Sequence, residues 1–263
     1  MVKIINCIPV SKEVDRLYSE YGMNKDQVKA DVANIRKWML TQPHLPIFPE
    51  EKSEELNYQI EGYLRLTKNN IEKSKIALDS YFCLKTLYPK IFEISNLYDY
   101  VDSDIFECVS MLMLPKHTPD GLRVMYYGFN NCNSHLFQPV EIYRRIRIMI
   151  DVLLIKGIDF TGLHVIWDAR YTYISQIRRL DLYQLKSLIK LSQMVITKNI
   201  ETLWSHIPKD ILPIELGGNE YTLNDIRGEW KDYILQNREW FISNANYKSD
   251  EAKRMRKEKK IEL

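Results

Sequence analysis

The hydrophobic period of the chain changes once, near residue 105, and that change limits the folds open to it. Before that point apolar residues recur with the period of an amphipathic helix. Val28, Val32, Ile35, Trp38 and Met39 share one face, and Pro43, Pro46 and Pro49 turn the next stretch into a loop. Ser53 is placed to cap the following helix, with Glu54 and Glu55 in a first turn where the helix dipole favours acids. A second apolar periodicity runs through Ile60, Leu64, Ile71, Ile76, Leu78, Phe82 and Leu87, and Pro89 ends it. Residues 1–95 therefore read as an all-helical unit with no strand candidate.

Beyond residue 105 short strands enter. Cys108 to Leu114 is strand-like, Thr118-Pro119-Asp120-Gly121 is turn chemistry, and Arg123 to Phe129 is a second strand, so 108–129 reads as a hairpin. Residues 139–156 read as a strongly apolar helix. Leu163 to Asp168 is short, apolar and β-branched, the pattern of a strand buried on both faces. Asp181 to Gln193 reads as an amphipathic helix, and Thr197 to His206 as a strand or short helix. A loop containing Pro208, Pro213, Gly217 and Gly218 follows. Thr222, with Asp225 in the reciprocal box position, caps a last helix running through Ile226, Trp230, Tyr233, Ile234 and Trp240. Six of the eight residues from Lys253 to Lys260 are basic. The fold class is α/β.

With 45% apolar residues in 263, the chain can bury a sizeable core, and a net charge of +2 gives no global attraction to nucleic acid. The most apolar stretch, Ile142 to Ile155, is broken by Arg144, Arg145, Arg147 and Asp151, so no membrane span is expected. Ile4 to Val10 lacks the flanks of a signal peptide. Four scattered cysteines and the lack of any Asn-x-Ser/Thr acceptor point to a reduced, cytoplasmic protein without disulfides. No phosphate-binding glycine loop or nucleophile elbow occurs. Cys132 and His135 form a lone pair without a second pair at metal-ligand spacing. His44, His117, His164 and His206 are isolated. Asp168 ends the apolar strand without a nucleophile or base in pattern, and reads as a cap for the next turn. The expectation is a non-enzyme with no cofactor and no metal.

Several segments resemble the CRAL-TRIO lipid-binding family, specifically insect members similar to α-tocopherol transfer protein and cellular retinaldehyde-binding protein. Residues 31–49 (DVANIRKWMLTQPHLPIFP), 62–75 (GYLRLTKNNIEKSK), 114–126 (LPKHTPDGLRVMY), 163–168 (LHVIWD) and 207–230 (IPKDILPIELGGNEYTLNDIRGEW) follow that family's order. The resemblance implies a helical N-terminal lobe (1–95), an α/β lipid-binding lobe with a partly parallel sheet (96–242) and a basic tail (243–263). About 35–40 residues of the implied core are missing between Gln193 and Met194. They would supply one strand and the gate helix, leaving neighbouring strands with unpaired backbone groups.

The resemblance further implies a monomeric cytoplasmic carrier of a tocopherol, retinoid or phosphoinositide-type lipid that docks on anionic membranes, with no nucleic-acid partner. Its cavity would be lined by Ile146 and Ile150 from the 139–156 helix, by Leu163, Val165 and Trp167 from the central strand, and by Leu180, Leu188 and Leu191 from the next helix. The phosphoinositide or membrane contact would fall to Arg65, Lys68, Lys253, Arg254, Arg256 and Lys257. The alternative is a truncated isoform that acts as an interaction module without a closed lipid pocket.

Overall fold

The structure is a computed structural model that describes residues 18–19, 21–94, 96–130, 136–156, 163–178 and 199–255. These divide into two compact units. One contains the described residues up to 93 together with 151–156 and 239–255, and the other contains 94–150, 163–178 and 199–238. The helical unit thus reaches beyond residue 95: the segment expected as a separate tail, from 243 to 255, belongs to it.

The helical unit is built on α1 (Lys25–Leu40), α2 (Ser53–Leu66), α3 (Ile71–Leu87) and the short α4 (Pro89–Phe92). Asn24 caps α1 by accepting from the Asp26 amide at 2.8 Å, and Asn70 caps α3 through the Lys73 amide at 2.9 Å. Ser53 does not cap α2. A 3-10 turn at Glu50–Lys52 leads directly into the helix, and the Ser53 hydroxyl instead accepts from Arg36 Nη2 at 2.9 Å. Between α2 and α3, Lys68 (φ 55°) and Asn69 (φ 59°) are both left-handed, a conformation that costs most residues about 1–2 kcal/mol. The core joins Val28, Val32, Ile35 and Met39 of α1 to Leu56, Ile60 and Leu64 of α2 and to Leu78, Tyr81 and Phe82 of α3.

The second unit opens with two short helices, α5 (Leu97–Val101) and α6 (Asp104–Cys108), and contains a three-stranded sheet in the order β1 (Val109–Met113), β2 (Arg123–Phe129), β3 (Leu163–Asp168). β1 and β2 form the expected antiparallel hairpin, with Gly121 at φ 83° closing the turn as its Gly amide donates to the Thr118 carbonyl at 2.8 Å. β3 pairs with β2 in parallel, from Arg123 opposite Leu163 to Gly128 opposite Asp168, after the crossover helix α7 (Pro139–Lys156). The architecture is mixed α/β, as the sequence indicated.

β3 is not buried on both faces. Only Ile166 is buried, while Val165 and Trp167 are 47% and 37% exposed. Alternate side chains point to opposite faces, and among the described residues only the face that carries Ile166 is buried. Asp168 accepts from Tyr126 Oη (3.0 Å), from the Arg170 amide (3.1 Å) and from Arg170 Nε (2.9 Å). Burial pushes this carboxyl up, but the Arg170 and Tyr126 hydrogen bonds outweigh it and hold it below the usual carboxylate range. It caps the turn after the strand.

Short helices α8 (Ile174–Ile177) and α9 (Ile200–His206) precede the loop with the paired glycines. A Cβ on Gly218 would fall on the Leu212 carbonyl, and the Gly218 amide donates to the Pro213 carbonyl at 3.1 Å, so the close approach requires glycine there. Thr222 and Asp225 form the expected capping box on α10 (Leu223–Gln236). The helix does not continue to Trp240. It breaks at Asn237, and α11 (Arg238–Asn246) follows. Cys108 is disulfide-bonded, contrary to the expectation of a protein without disulfides. No described helix is long and apolar enough to cross a membrane.

Candidate protein-interaction surfaces on the helical unit

Helix α3 has more apolar residues than one core face can absorb. Each residue advances about 100° around a helix, so Ile76 and Leu78 point to opposite sides. The structure splits the single periodicity read from the sequence into two. Leu78, Tyr81, Phe82 and Lys85 face the core, whereas Ile76, Leu84 and Leu87 face outward with exposures of 67%, 43% and 58%, followed by exposed Tyr88. The exposed positions of α1 are mainly polar, with Lys25, Lys29, Asn34 and Lys37, and carry one large apolar residue, Leu40, at the helix end. The α3 stripe spans about 16 Å at the rise of an α-helix.

A third face of α3, made by Asp79, Phe82, Cys83 and Thr86, lies against the segment 244–254. Its backbone contacts are specific: the Ser249 amide donates to the Phe82 carbonyl (3.2 Å) and the Asp250 amide to the His44 carbonyl (2.8 Å). Thr86 Oγ1 donates to the Ser249 carbonyl at 2.6 Å. Tyr247 stacks on Phe48 with ring centroids 4.1 Å apart and planes 20° apart. Arg254 reaches Asp79 with both terminal nitrogens at 2.7 Å and Glu251 through Nε at 2.5 Å. The Glu251 environment also raises the Cys83 thiol, after the larger effect of burial.

The Arg254 guanidinium, aided by the Ser249 hydroxyl and only partly opposed by burial, lowers the Glu251 carboxyl from 4.5 to about 2. A depressed carboxyl adds stability above its unfolded pKa and loses it as pH falls through the folded one. The segment should therefore be held fully above pH 4.5 and loosen between there and about 2. Protection factors of the Ser249 and Asp250 amides, corrected for the intrinsic exchange rate, are expected to fall over that window while core amides of α1 stay protected. Protection that is flat down to pH 2 would remove Glu251 from the latch.

Of the residues expected to line a lipid cavity, none of the described ones lines the cleft between β1, α7 and α10. Ile146 is half-buried and Ile150 is 38% exposed on α7, and Leu163, Val165 and Trp167 lie along one exposed strand face. Leu180, Leu188 and Leu191 lie outside the described residues, as do Cys132 and His135. The cleft in the sheet unit, between β1, α7 and α10, is small and open to solvent. Arg145 and Arg227 line it together with Met111, Ile148, Met149 and Trp230, so two cations share its wall. Burial lowers the Arg145 guanidinium to about 10, and its Nη2 is bonded to the carbonyls of Phe106 and Val109.

The expected basic contacts are largely engaged within the chain. Arg65 is buried and pairs with Glu61 at 2.6 Å on the same helix, which removes it from any membrane surface. Lys68 sits in the left-handed turn before α3, its ammonium 5.8 Å from the Tyr21 ring. Lys253 pairs with Asp250 at 3.0 Å, and Arg254 is committed to Asp79 and Glu251. Arg256 and Lys257 lie outside the described residues. Among the described residues no group of three or more His, Cys, Asp or Glu side chains could hold a metal ion.

Comparison with known families places residues 24–100 in similarity to the family described as Pinta-like, UBA domain. The match covers α1 to α4 and the start of the second unit. It corrects the CRAL-TRIO assignment read from the motifs, and with it the lipid-binding, lipid-transport, tocopherol, retinoid and phosphoinositide readings that rested on that assignment. The "QPHLP" and "YLRLTKNNIEKSK" segments that carried the resemblance lie inside the matched stretch, where they build the α1–α2 loop and the α2–α3 turn. No curated protein matches the chain.

Proposed function

We propose that the chain works as a protein-interaction module of the ubiquitin-associated class, through residues 24–100, and that it acts by binding, with no catalytic step and no cofactor. The observation that carries this reading is the outward stripe of α3, Ile76, Leu84 and Leu87, which lies wholly inside the matched segment. An exposed apolar row on an ordered helix is the kind of surface a protein partner covers, and a few such anchors supply most of the affinity of an interface. The helix is held rigidly from behind by Leu78 and Phe82, so the stripe is presented in one geometry and loses little entropy on binding.

Titration of the intact chain with ubiquitin, followed by calorimetry or by amide shifts of α3, tests the proposal. Wild type is expected to bind saturably. Leu84→Asp is expected to weaken binding by about tenfold or more, which is about 1.4 kcal/mol, because a charge would have to be desolvated at the contact. Its melting transition should be preserved, since Leu84 is already exposed. Absence of saturable ubiquitin binding by wild type, or undiminished binding by the Leu84→Asp chain, overturns the reading.

A further inference from the structure

The segment 244–254 contacts the helical unit in the way a bound peptide contacts a receptor. It has little regular structure beyond the end of α11 and a single 3-10 turn at Glu251–Lys253. Its main-chain donors at 249 and 250 pair with carbonyls of Phe82 and His44, and its carbonyl at 249 accepts from Thr86. Such main-chain pairing supplies affinity, and side-chain pockets supply specificity. Two side-chain contacts are defined. Phe48 offers a ring face for an aromatic residue, and Asp79 offers a carboxylate that takes both terminal nitrogens of an arginine. Lys85, buried beneath the segment, donates to the Asn244 carbonyl at 2.7 Å and to the Tyr247 carbonyl at 3.0 Å, and so fixes where the peptide enters.

We infer that the groove formed by His44, Phe48, Asp79, Phe82 and Thr86 is a peptide-binding groove, occupied in cis by the chain's own segment 244–254. The partner it fits is an extended peptide carrying an aromatic side chain seven positions before an arginine, the spacing of Tyr247 and Arg254. This surface lies beside the α3 stripe but does not include it, and it goes beyond the ubiquitin reading. Groove binding and stripe binding therefore fail independently. The tethered segment competes at the effective concentration of an intramolecular ligand, of order millimolar for a short connection. A partner in trans gains access only when the latch is weakened or when the partner binds more tightly than the segment does.

The test uses the full chain and a fluorescent peptide of residues 244–255. A chain carrying Tyr247→Ala and Arg254→Ala, with its own segment weakened, is expected to bind the peptide saturably and at least about tenfold more tightly than wild type, whose groove is filled. The same peptide with Arg254→Ala should lose most of that affinity. A folded double variant that does not bind the peptide, or that binds it no better than wild type does, overturns the inference. So does equal binding of the Arg254→Ala peptide. If the double variant does not fold, the single Arg254→Ala chain takes its place, and the same comparison with wild type decides.

Discussion

Replacing Lys85 with alanine is expected to destabilise the helical unit by about 4 kcal/mol. The ammonium is buried, with 1% of the residue exposed, and donates to the Asn244 carbonyl (2.7 Å), Asn244 Oδ1 (3.0 Å) and the Tyr247 carbonyl (3.0 Å). It also lies over the rings of Tyr81 and Phe82, at 4.3 and 5.2 Å from their centroids. The Asn244 side chain continues the network, donating to Tyr81 Oη at 2.7 Å, which in turn donates to Asp151 Oδ1 at 3.0 Å. Alanine leaves the acceptors stranded at about 1–3 kcal/mol each and leaves a cavity as well. Lys85→Met separates the two contributions. It keeps the apolar stem and removes only the ammonium, so a loss of about 3 kcal/mol is expected, the low end for three stranded acceptors. Urea unfolding of both variants gives the two values. A methionine variant as stable as wild type would mean that desolvating the ammonium costs as much as its hydrogen bonds return.

The second large effect is expected at Trp230 in the sheet unit. Its side chain is 5% exposed on α10, and its indole Nε1 donates to the Met113 carbonyl at 3.3 Å. The ring therefore fills the space between α10 and β1 and satisfies a main-chain acceptor on a fully buried strand. Trp230→Ala removes both, at about 3–5 kcal/mol, and enlarges the Arg145–Arg227 cleft that Trp230 lines. Trp230→Phe keeps most of the packing and loses the hydrogen bond, so about 1–2 kcal/mol is expected. Thermal denaturation of the two variants ranks them, and a loss below about 1 kcal/mol for alanine would place the indole outside the structural core.

Much of the architecture was legible because it depends on neighbours in sequence. The helical stretch before residue 105, the Thr118–Gly121 hairpin turn and the Thr222–Asp225 capping box all arise from local chemistry, and all three form. Misreadings arose where a distant contact decides. Ser53 has the chemistry of a cap, yet Arg36 takes its hydroxyl and the preceding 3-10 turn removes the need for one. The run Ile76, Leu78, Phe82 and Leu87 is apolar throughout yet covers two faces of α3, Leu78 and Phe82 on the core and Ile76 and Leu87 outward. Helical phase alone would have separated Ile76 from Leu78. The motifs at 31–49 and 62–75 were read through a resemblance, and the match to a Pinta-like UBA domain over 24–100 assigns them differently.

The basic tail shows most clearly what sequence and tertiary structure each contribute. From the sequence alone Lys253 and Arg254 are two charges in a solvated run. The structure places Arg254 against Asp79, 175 positions earlier, and Lys85 beneath Asn244, 159 positions later. A charge run announces only its sign, and the carboxylate that will neutralise it is chosen by the path of the backbone. The sequence by itself determined the helical period over α1 to α3, the Thr118–Gly121 turn, the Thr222–Asp225 cap and the α/β order, since each rests on interactions a few residues apart. Only the tertiary structure decided which apolar faces stay exposed, which cations are spent inside the chain, and that the C-terminal segment belongs to the helical unit. The placement of the C-terminal segment rests on contacts across more than a hundred residues, Lys85 to Asn244 and Asp79 to Arg254, which no local pattern encodes.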